Sequence, residues 1–533
     1  MKNTPIDIQT VQSVFTNSFY SAVIFVLFIV INFLHGFKLD TIPAGLFFDE
    51  ATIGIQANHI NQTGINAYDD YIRTTGDIDS PILIFTTALI FRVFGISEYS
   101  LRLPNVLFFS TALILAFWLV KNLFRNNKVV WIYLLIAFGF LPQFFTISRL
   151  SFEVVAQLTS LAGLCLCVWW TFHQDSSRFW NYVKPAICGF LIGISIYTYT
   201  TAILLSAFFM ASLLIIYHKK ENQQKLVALI ATCLITLIPY PIYSIINPGG
   251  FVSRFRDISF LYESLPLIEK IKIFISNYLS HWSLDFLIFH GDANLRHSTG
   301  SCGIVYVSVF VLFILGLIGA LIRKDFDKFK ALLFCNLLFA PIASAMTSEG
   351  IPHSLRSFLM GFYLVIFSCF GLQFVIEVKT KLARNILIAS IFTFLSYEVY
   401  QYQFDYFAHY GARSVDAMGS YDLYGSFEFA VGKNPKEIIF LENFPGDSIL
   451  YLFYSQIAAN PNNIPIRISK VITPEPNICI IFHRLSSAEE NLSEFSIPYD
   501  QFSSKYEPSP IAEYFGEETF SGLMKARCYK DHT

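Results

Sequence analysis

Long apolar runs separated by short polar loops fill the chain up to about residue 400. A helix needs about 20 mainly apolar residues to cross the hydrocarbon core of a bilayer. Runs of roughly this length lie at 19–37, 101–124, 129–147, 153–172, 185–200, 201–217, 226–246, 303–322, 329–346, 354–376 and 384–401. The pattern therefore predicts a mainly α, polytopic membrane protein with about eleven transmembrane helices.

The positive charges of the loops predict the orientation of these helices. Lys and Arg concentrate in short cytoplasmic loops, and basic loops fall on every second connection, at 121–128, 178–184, 219–225, 323–330 and 379–384. A further apolar run lies at 81–95. If it were counted as a full span, all five basic loops would lie outside the cytoplasm. It is short and carries Arg92, so we predict an interfacial or re-entrant helix. The alternate loops, beginning with 38–100, and the tail are then extracytoplasmic.

The tail after residue 402 has a different pattern and predicts a second domain. Short β-type runs at 437–443, 465–470 and 477–484 alternate with helix-like segments at 447–460 and 486–495, as in a small α/β domain. We therefore predict a transmembrane domain at 1–402 and an extracytoplasmic α/β domain at 403–533. Cys479 and Cys528 could form a disulfide outside the cytoplasm, although the sequence does not decide whether they pair.

Composition narrows the class of protein. The chain has 533 residues, of which 54% are hydrophobic and 14% charged, against about 25% charged in a typical soluble domain. The net charge is −2 and no long basic block occurs, which argues against a nucleic-acid-binding surface. We expect a multi-pass protein of the plasma (inner) membrane that contacts the lipid bilayer and binds no nucleic acid.

Two adjacent carboxylates, Asp49 and Glu50, follow the first apolar run. Asp49 could be the N-cap of a helix, because its side chain can accept backbone N–H groups at a helix start. Alternatively, one carboxylate faces a cleft at the membrane surface and acts as a general base. The two roles can coexist, and the sequence leaves both open.

Further ionisable residues lie on the same predicted side of the membrane. Arg149 and Glu153 are four residues apart and would share a helix face, either as a salt bridge or as an anion-binding arginine beside a second carboxylate. Two more outer loops carry Asp292, Arg296, His297, His353 and Arg356. These loops are either solvated or part of a substrate site, since arginine suits bidentate contact with phosphate. No nucleotide-binding glycine pattern occurs, which favours a lipid phosphate.

The order of these motifs resembles one family of membrane enzymes. The pair Asp49-Glu50, then Ser80-Pro81, then the set Phe94, Gly95, Ser97, Glu98, Arg102, Leu103 and Pro104 is similar to the polyprenyl-phosphate-sugar-dependent glycosyltransferases of the GT-C class. That group contains the protein O-mannosyltransferases and the lipid A aminoarabinose transferases. The resemblance covers roughly residues 20–400. The family's Lys-Pro-Pro or His-Pro-Pro is Asp79-Ser80-Pro81 here, so a positive group near the donor phosphate is missing. The candidates to replace it are Arg73, Arg149, Arg296 and Arg356.

The resemblance implies a GT-C fold, a reaction and roles for the residues. The reaction is transfer of a sugar from a polyprenyl-phosphate donor to an extracytoplasmic acceptor, a lipid, glycan or protein, with inversion at the anomeric carbon. Asp49 would be the general base, Glu50 would position Asp49 or bind acceptor, and Glu153 would orient acceptor or a cation. Substrate would contact Arg149, Asp292, Arg296, His297, His353 and Arg356. No cofactor is obligatory and no residue is assigned to a metal, although carboxylates at such a site could hold a divalent ion.

Two other classes of function stay open at this point. A transporter or flippase of lipid-linked saccharides would keep polar groups near the membrane midplane and show internal repeats. Here the charged groups cluster at one predicted face, and no repeat is evident. The other alternative is a non-catalytic envelope scaffold whose tail binds a partner. Release of sugar from a labelled polyprenyl phosphate would separate the enzyme from both.

Overall fold

Helices dominate the part of the chain that the computed structural model describes. That part comprises residues 8–64, 80–174, 177, 179–246, 253–323, 325–420, 423–441, 447–457, 462–469, 478–483 and 524–528. Its α-helices up to the tail are α1 Ile8–Gly36, α2 Phe48–Thr63, α3 Pro81–Phe94, α4 Glu98–Leu123, α5 Lys128–Gly139, α6 Pro142–Ser148, α7 Val154–His173, α8 Trp180–Ser195, α9 Ala202–Tyr217, α10 Gln223–Thr236, α11 Pro239–Ile246, α12 Ser253–Ile258, α13 Leu267–Ser280, α14 Val307–Ile322, α15 Lys328–Phe339, α16 Ile342–Ala345, α17 Leu359–Ile376, α18 Lys381–Asp405 and α19 Gly411–Met418.

Several of these helices have the length and hydropathy of membrane spans. Among the described residues, 7 helices qualify by these measures, or up to 8 if the bent pair of α5 and α6 is one span. The helices α3, α9 and α14 are apolar but shorter. Every predicted apolar run overlaps a helix, which confirms a multi-pass, mainly helical protein. The expected number of about eleven spans is not confirmed.

The bent span separates two residues that the sequence analysis placed on one helix. Pro142 starts α6, and α5 and α6 meet at an angle of 52°, as expected where proline removes a backbone donor and clashes with the preceding turn. Arg149 then follows the end of α6, and Glu153 immediately precedes α7. The prediction that Arg149 and Glu153 share a helix face is therefore wrong.

The tail forms a small α/β unit. Its helices are α20 Leu423–Gly432 and α21 Asp447–Ile457, and its strands are β1 Glu437–Leu441, β2 Ile466–Ser469, β3 Ile478–His483 and β4 Met524–Cys528. The sheet order is β2-β1-β3-β4, with β1 parallel to β2 and β3 and with β4 antiparallel to β3. The three predicted strands and the helix predicted at 447–460 are confirmed. Strand β4 was not predicted, and the helix predicted at 486–495 lies outside the described residues.

Cys479 of β3 is disulfide-bonded. The register of β3 and β4 places Cys528 directly opposite it. Seven other cysteines, Cys165, Cys167, Cys188, Cys233, Cys302, Cys335 and Cys369, are free.

The α/β unit is not separated from the membrane part by a break at residue 402. Helix α18 runs past this position and continues through a π-helical turn, Tyr406–Tyr410, into α19. The α/β unit also shares one hydrophobic core with the segment between α1 and α4, formed by residues that include Leu46, Ile53, Ala57, Leu83, Phe91, Phe427, Phe440, Tyr451, Phe453 and Tyr454. The helix that carries Asp49, α2, therefore packs against the α/β unit.

Candidate active site

Asp49 is exposed in the first turn of α2. The helix begins at Phe48 and its N-cap is Phe47, so Asp49 is not the N-cap that the capping interpretation assumed. Acidic groups are favoured in this turn because the helix dipole places partial positive charge there. The Asp49 carboxylate is therefore accessible. The charges of the loops predict that this end of the structure is extracytoplasmic.

Glu50, the next residue, lies in the opposite environment. Its side chain is 0% exposed and accepts two bonds from Arg102, from Nε at 2.9 Å and from Nη2 at 3.1 Å. It also accepts the backbone N–H of Ser151 at 2.9 Å and that of Phe47 at 3.3 Å. Both oxygens are therefore bonded inside the protein, and Glu50 fixes the start of α2 rather than facing an acceptor.

Replacing Glu50 by alanine should destabilise the protein, because Arg102 would remain buried without its counter-charge. Breaking a buried ion pair in this way costs about 3–5 kcal/mol. Thermal unfolding of the purified, detergent-solubilised chain measures the effect, with the exposed Glu263→Gln as a control that should leave unfolding unchanged. A Glu50 variant that unfolds normally yet fails in catalysis would instead place Glu50 in contact with substrate.

Arg149 is also fully buried, and its guanidinium is used within the protein. It donates to backbone carbonyls at the end of α1 and just beyond it, those of Leu34, His35, Phe37, Lys38 and Ile42, and to the Tyr406 hydroxyl. The last carbonyls of a helix have no partner within that helix, so Arg149 ties the end of α1 to α18 and its π-helical turn. No donor is left over to bind the phosphate of a substrate.

Arg296 differs from Arg149 because its charged end is not fully engaged. Its guanidinium carbon lies 3.5 Å from the centre of the Phe47 ring, and its Nε donates to Asn294 at 3.1 Å. Its two terminal nitrogens have no hydrogen-bond partner among the described residues. Burial lowers the pKa of Arg296, and the carboxylate of Asp49 is the strongest opposing influence. Arg296 therefore lies beside Asp49 with donors available for an anion.

Asp292, His297 and His353 form a buried cluster beside Arg296. His297 Nδ1 lies 3.0 Å and His353 Nδ1 3.8 Å from Asp292 Oδ2, and the two imidazole rings stack at 4.7 Å. The same carboxylate oxygen accepts the backbone N–H of Ser354 at 2.8 Å. Burial lowers the pKa of both His297 and His353. One nitrogen or oxygen from each of the three residues lies within 4.8 Å of the others, a spacing that could hold a metal ion.

Glu153 and Arg356 lie near this cluster. Phe152, the residue before Glu153, packs edge-on against His297 with the ring centres 5.8 Å apart, and Glu153 is half-buried. Arg356 donates to the Thr347 hydroxyl at 2.9 Å and to the Glu349 carbonyl at 3.0 Å, so it is more engaged than Arg296. Arg73 and Asp79 lie outside the described residues.

Comparisons with known proteins bear on the family and the fold of the chain. Residues 79–243, just under a third of the chain, match the family model described as dolichyl-phosphate-mannose-protein mannosyltransferase. The structure is similar to ArnT from Cupriavidus metallidurans in the apo state, with a TM-score of 0.53, 9% identity, and coverage of 89% of this chain and 95% of that one. The same protein bound to undecaprenyl phosphate gives a TM-score of 0.50, 10% identity, and coverage of 94% and 97%.

A third similar structure is the archaeal oligosaccharyltransferase AglB from Archaeoglobus fulgidus, in complex with an inhibitory peptide and a dolichol-phosphate. Its TM-score is 0.50, with 12% identity and coverage of 92% of this chain and 74% of that one. No curated protein matches the chain at a significant level. The chain has the GT-C fold. Together the family match and the GT-C fold indicate a membrane glycosyltransferase.

The GT-C structure brings together some of the predicted residues and separates others. Asp49, Arg296 and the Asp292-His297-His353 cluster form one region, which the loop with Glu153 adjoins. Glu50 and Arg149 are instead buried supports of that region.

The sequence analysis gave no role to Arg102, which holds Glu50. A signal was present, because a charged residue inside an apolar span needs a partner. What the sequence lacked was the identity of that partner, which lies 52 positions away. His281 was also missed; its Nε2 accepts the backbone N–H of His353 at 3.2 Å.

Proposed function

We propose that this protein transfers a sugar from a polyprenyl-phosphate donor to an acceptor on the extracytoplasmic side of the plasma (inner) membrane. The observation that carries the proposal is the pair of Asp49 and Arg296, an exposed carboxylate beside an arginine with unengaged donors. A base and an anion-binding group side by side are what such a transfer requires. Solved structures with this fold hold undecaprenyl phosphate in ArnT and a dolichol-phosphate in AglB, which supports a lipid-phosphate donor.

In the proposed reaction, Asp49 removes the proton of the acceptor hydroxyl or amine as that group attacks the anomeric carbon. The bond between this carbon and the phosphate oxygen breaks, and its electron pair passes to the departing polyprenyl phosphate. Arg296 stabilises the negative charge that builds on this phosphate. Because attack and departure occur on opposite sides of the anomeric carbon, the configuration inverts. Glu153 is the candidate to orient the acceptor.

The experiment that tests this function follows both halves of a labelled donor. Purified full-length protein in proteoliposomes receives polyprenyl-phosphate sugars labelled in the sugar, together with a cell-envelope extract as acceptor. Glycosyl transfer predicts free polyprenyl phosphate and label in the acceptor fraction. Movement of intact donor across the bilayer without cleavage would support a flippase instead. If the donor were neither cleaved nor moved, the result would contradict both the transferase and the flippase.

A divalent cation also fits the proposed site, held by Asp292, His297 and His353. Two imidazoles and one carboxylate are a ligand set that suits Zn²⁺, with a further position for water or substrate. Such an ion would supply positive charge close to the donor phosphate. The transfer described above does not depend on it.

We expect His353→Ala to reduce the metal content of the purified full-length protein after equilibration with Zn²⁺, because the variant removes one of three ligands. Elemental analysis of the desalted protein measures this directly, without an activity assay. His290→Ala is a matched control, since His290 lies in the same outer loop, is exposed and bonds to Asp285. Equal zinc in both variants and in the unaltered chain would rule out this cluster as the metal site.

A further inference from the structure

The C-terminal α/β unit packs against the helix that carries Asp49. Helix α21 contacts α2, and a Cβ added at Gly54 of α2 would overlap the ring of Phe453 of α21. One turn further along α2, Asn58 donates to the side-chain oxygen of Gln456 at 2.8 Å. This close approach makes α21 part of the immediate surroundings of α2 rather than part of a distant domain.

Tyr454 of α21 brings its hydroxyl to a polar junction at the edge of this interface. The side chain is 1% exposed, and the hydroxyl donates to Glu98 Oε1 at 2.5 Å. It also lies 3.3 Å from the Ser420 hydroxyl, a polar contact without a shared proton because Tyr454 donates to Glu98 and Ser420 donates to the Leu46 carbonyl. A buried hydroxyl bonded to a carboxylate is a charge-assisted hydrogen bond, which is stronger than one between neutral groups.

Two routes lead from this hydroxyl to the start of α2. On the first, Ser420 accepts the backbone N–H of Leu46 at 2.6 Å and donates to the Leu46 carbonyl at 2.8 Å, three residues before Asp49. On the second, Glu98 lies one turn before Arg102 on α4 and interacts with its charge, and Arg102 holds Glu50, the neighbour of Asp49. Both routes end within three residues of Asp49.

We propose that Tyr454 is a positioning residue for Asp49, through which the C-terminal α/β unit holds the start of α2 in place for catalysis. The hydroxyl is too deeply buried to meet substrate, so its effect passes through Glu98 and Ser420. The catalytic part of this inference rests on the proposed glycosyl transfer. The structural part, that Tyr454 restrains the start of α2, is independent of that proposed function.

The test uses a pair of matched variants of the full-length chain. Tyr454→Phe removes only the hydroxyl that meets Glu98. Tyr451→Phe removes the hydroxyl of a second tyrosine on the same helix, which is also 1% exposed but donates to the Leu441 carbonyl inside the α/β unit at 2.8 Å. Both variants lose a buried hydroxyl and keep the aromatic ring, so any difference between them belongs to the contacts of the Tyr454 hydroxyl with Glu98 and Ser420.

Hydrogen–deuterium exchange of residues 46–63 is the first readout. A hydrogen bond to a charged group is worth about 1.5–3 kcal/mol, so exchange in this segment should rise about tenfold or more in Tyr454→Phe and stay unchanged in Tyr451→Phe. Equal exchange in the two tyrosine variants would overturn the inference, whatever their activity.

The second readout is the kinetics of sugar transfer. A misplaced base lowers kcat and leaves the KM for donor near its original value, so Tyr454→Phe should lose about tenfold in kcat while Tyr451→Phe retains it. An unchanged kcat together with raised exchange would overturn the catalytic part of the inference. Absence of transfer by the unaltered chain with every donor would instead contradict the proposed function, and the exchange comparison would still decide the structural part.

Discussion

Asp49→Asn is expected to reduce kcat for sugar transfer by about 10²–10⁴-fold, the usual contribution of a general base. Asparagine has nearly the same size and can occupy the same exposed position in the first turn of α2, but it cannot take a proton from the acceptor. The KM for the donor should change little, because Asp49 contacts the acceptor in the proposed reaction. Steady-state release of polyprenyl phosphate from a labelled donor measures the effect.

A control for Asp49→Asn needs to lose a carboxylate without touching the site. Asp416→Asn is suitable, because Asp416 is an exposed residue of α19 and should leave kcat at its original value. The circular dichroism and thermal unfolding of both variants should match those of the unaltered chain, since an exposed carboxylate contributes little to stability. Near-normal transfer by Asp49→Asn would show that the base is another group, and Glu153 would then be the next carboxylate to replace.

The helical class of the protein was predictable because a bilayer imposes a simple demand on sequence. Backbone groups in the hydrocarbon core must be bonded within the segment, so apolar length predicts helices wherever it occurs, and each predicted run overlaps one. The span count was less predictable. Helices such as α9 and α14, with 16 residues each, are apolar yet short, and hydropathy alone does not say how far such helices extend across the membrane.

The roles of Asp49 and Glu50 could not be separated by local pattern. Successive residues of a helix point about 100° apart, so one member of the pair meets the protein interior while the other stays exposed. Which of them is buried depends on Arg102, on another helix, and on the backbone of Ser151. Arg149 shows the same limit, since its partners are the carbonyls at the end of α1, more than a hundred positions away. Every residue has a backbone carbonyl, so the sequence does not indicate which carbonyls a side chain binds.

Arg296→Ala is the second substitution from which we expect a large loss, about 10²–10³-fold in kcat, the range measured when one donor to a developing negative charge is removed. The variant deletes the two terminal nitrogens beside Asp49 that have no described partner, and with them the charge that would meet the leaving phosphate. The kcat of Arg296→Lys should fall between those of Arg296→Ala and the unaltered chain, because lysine keeps the positive charge but not the planar pair of donors. Inhibition by free polyprenyl phosphate should weaken in parallel, since the same group binds the product.

Two other arginines, Arg92 and Arg356, make this assignment testable against alternatives. Arg92→Ala is the control, because Arg92 is exposed on α3 and bonds to Asn61, and it should leave both kcat and product inhibition unchanged. Arg356→Ala should have a smaller effect than Arg296→Ala, since Arg356 already donates to Thr347 and Glu349. If Arg356→Ala abolished transfer while Arg296→Ala retained both rate and product affinity, the leaving phosphate would contact Arg356 rather than Arg296. The attacking acceptor and the leaving phosphate would then have to be placed differently from the proposed reaction.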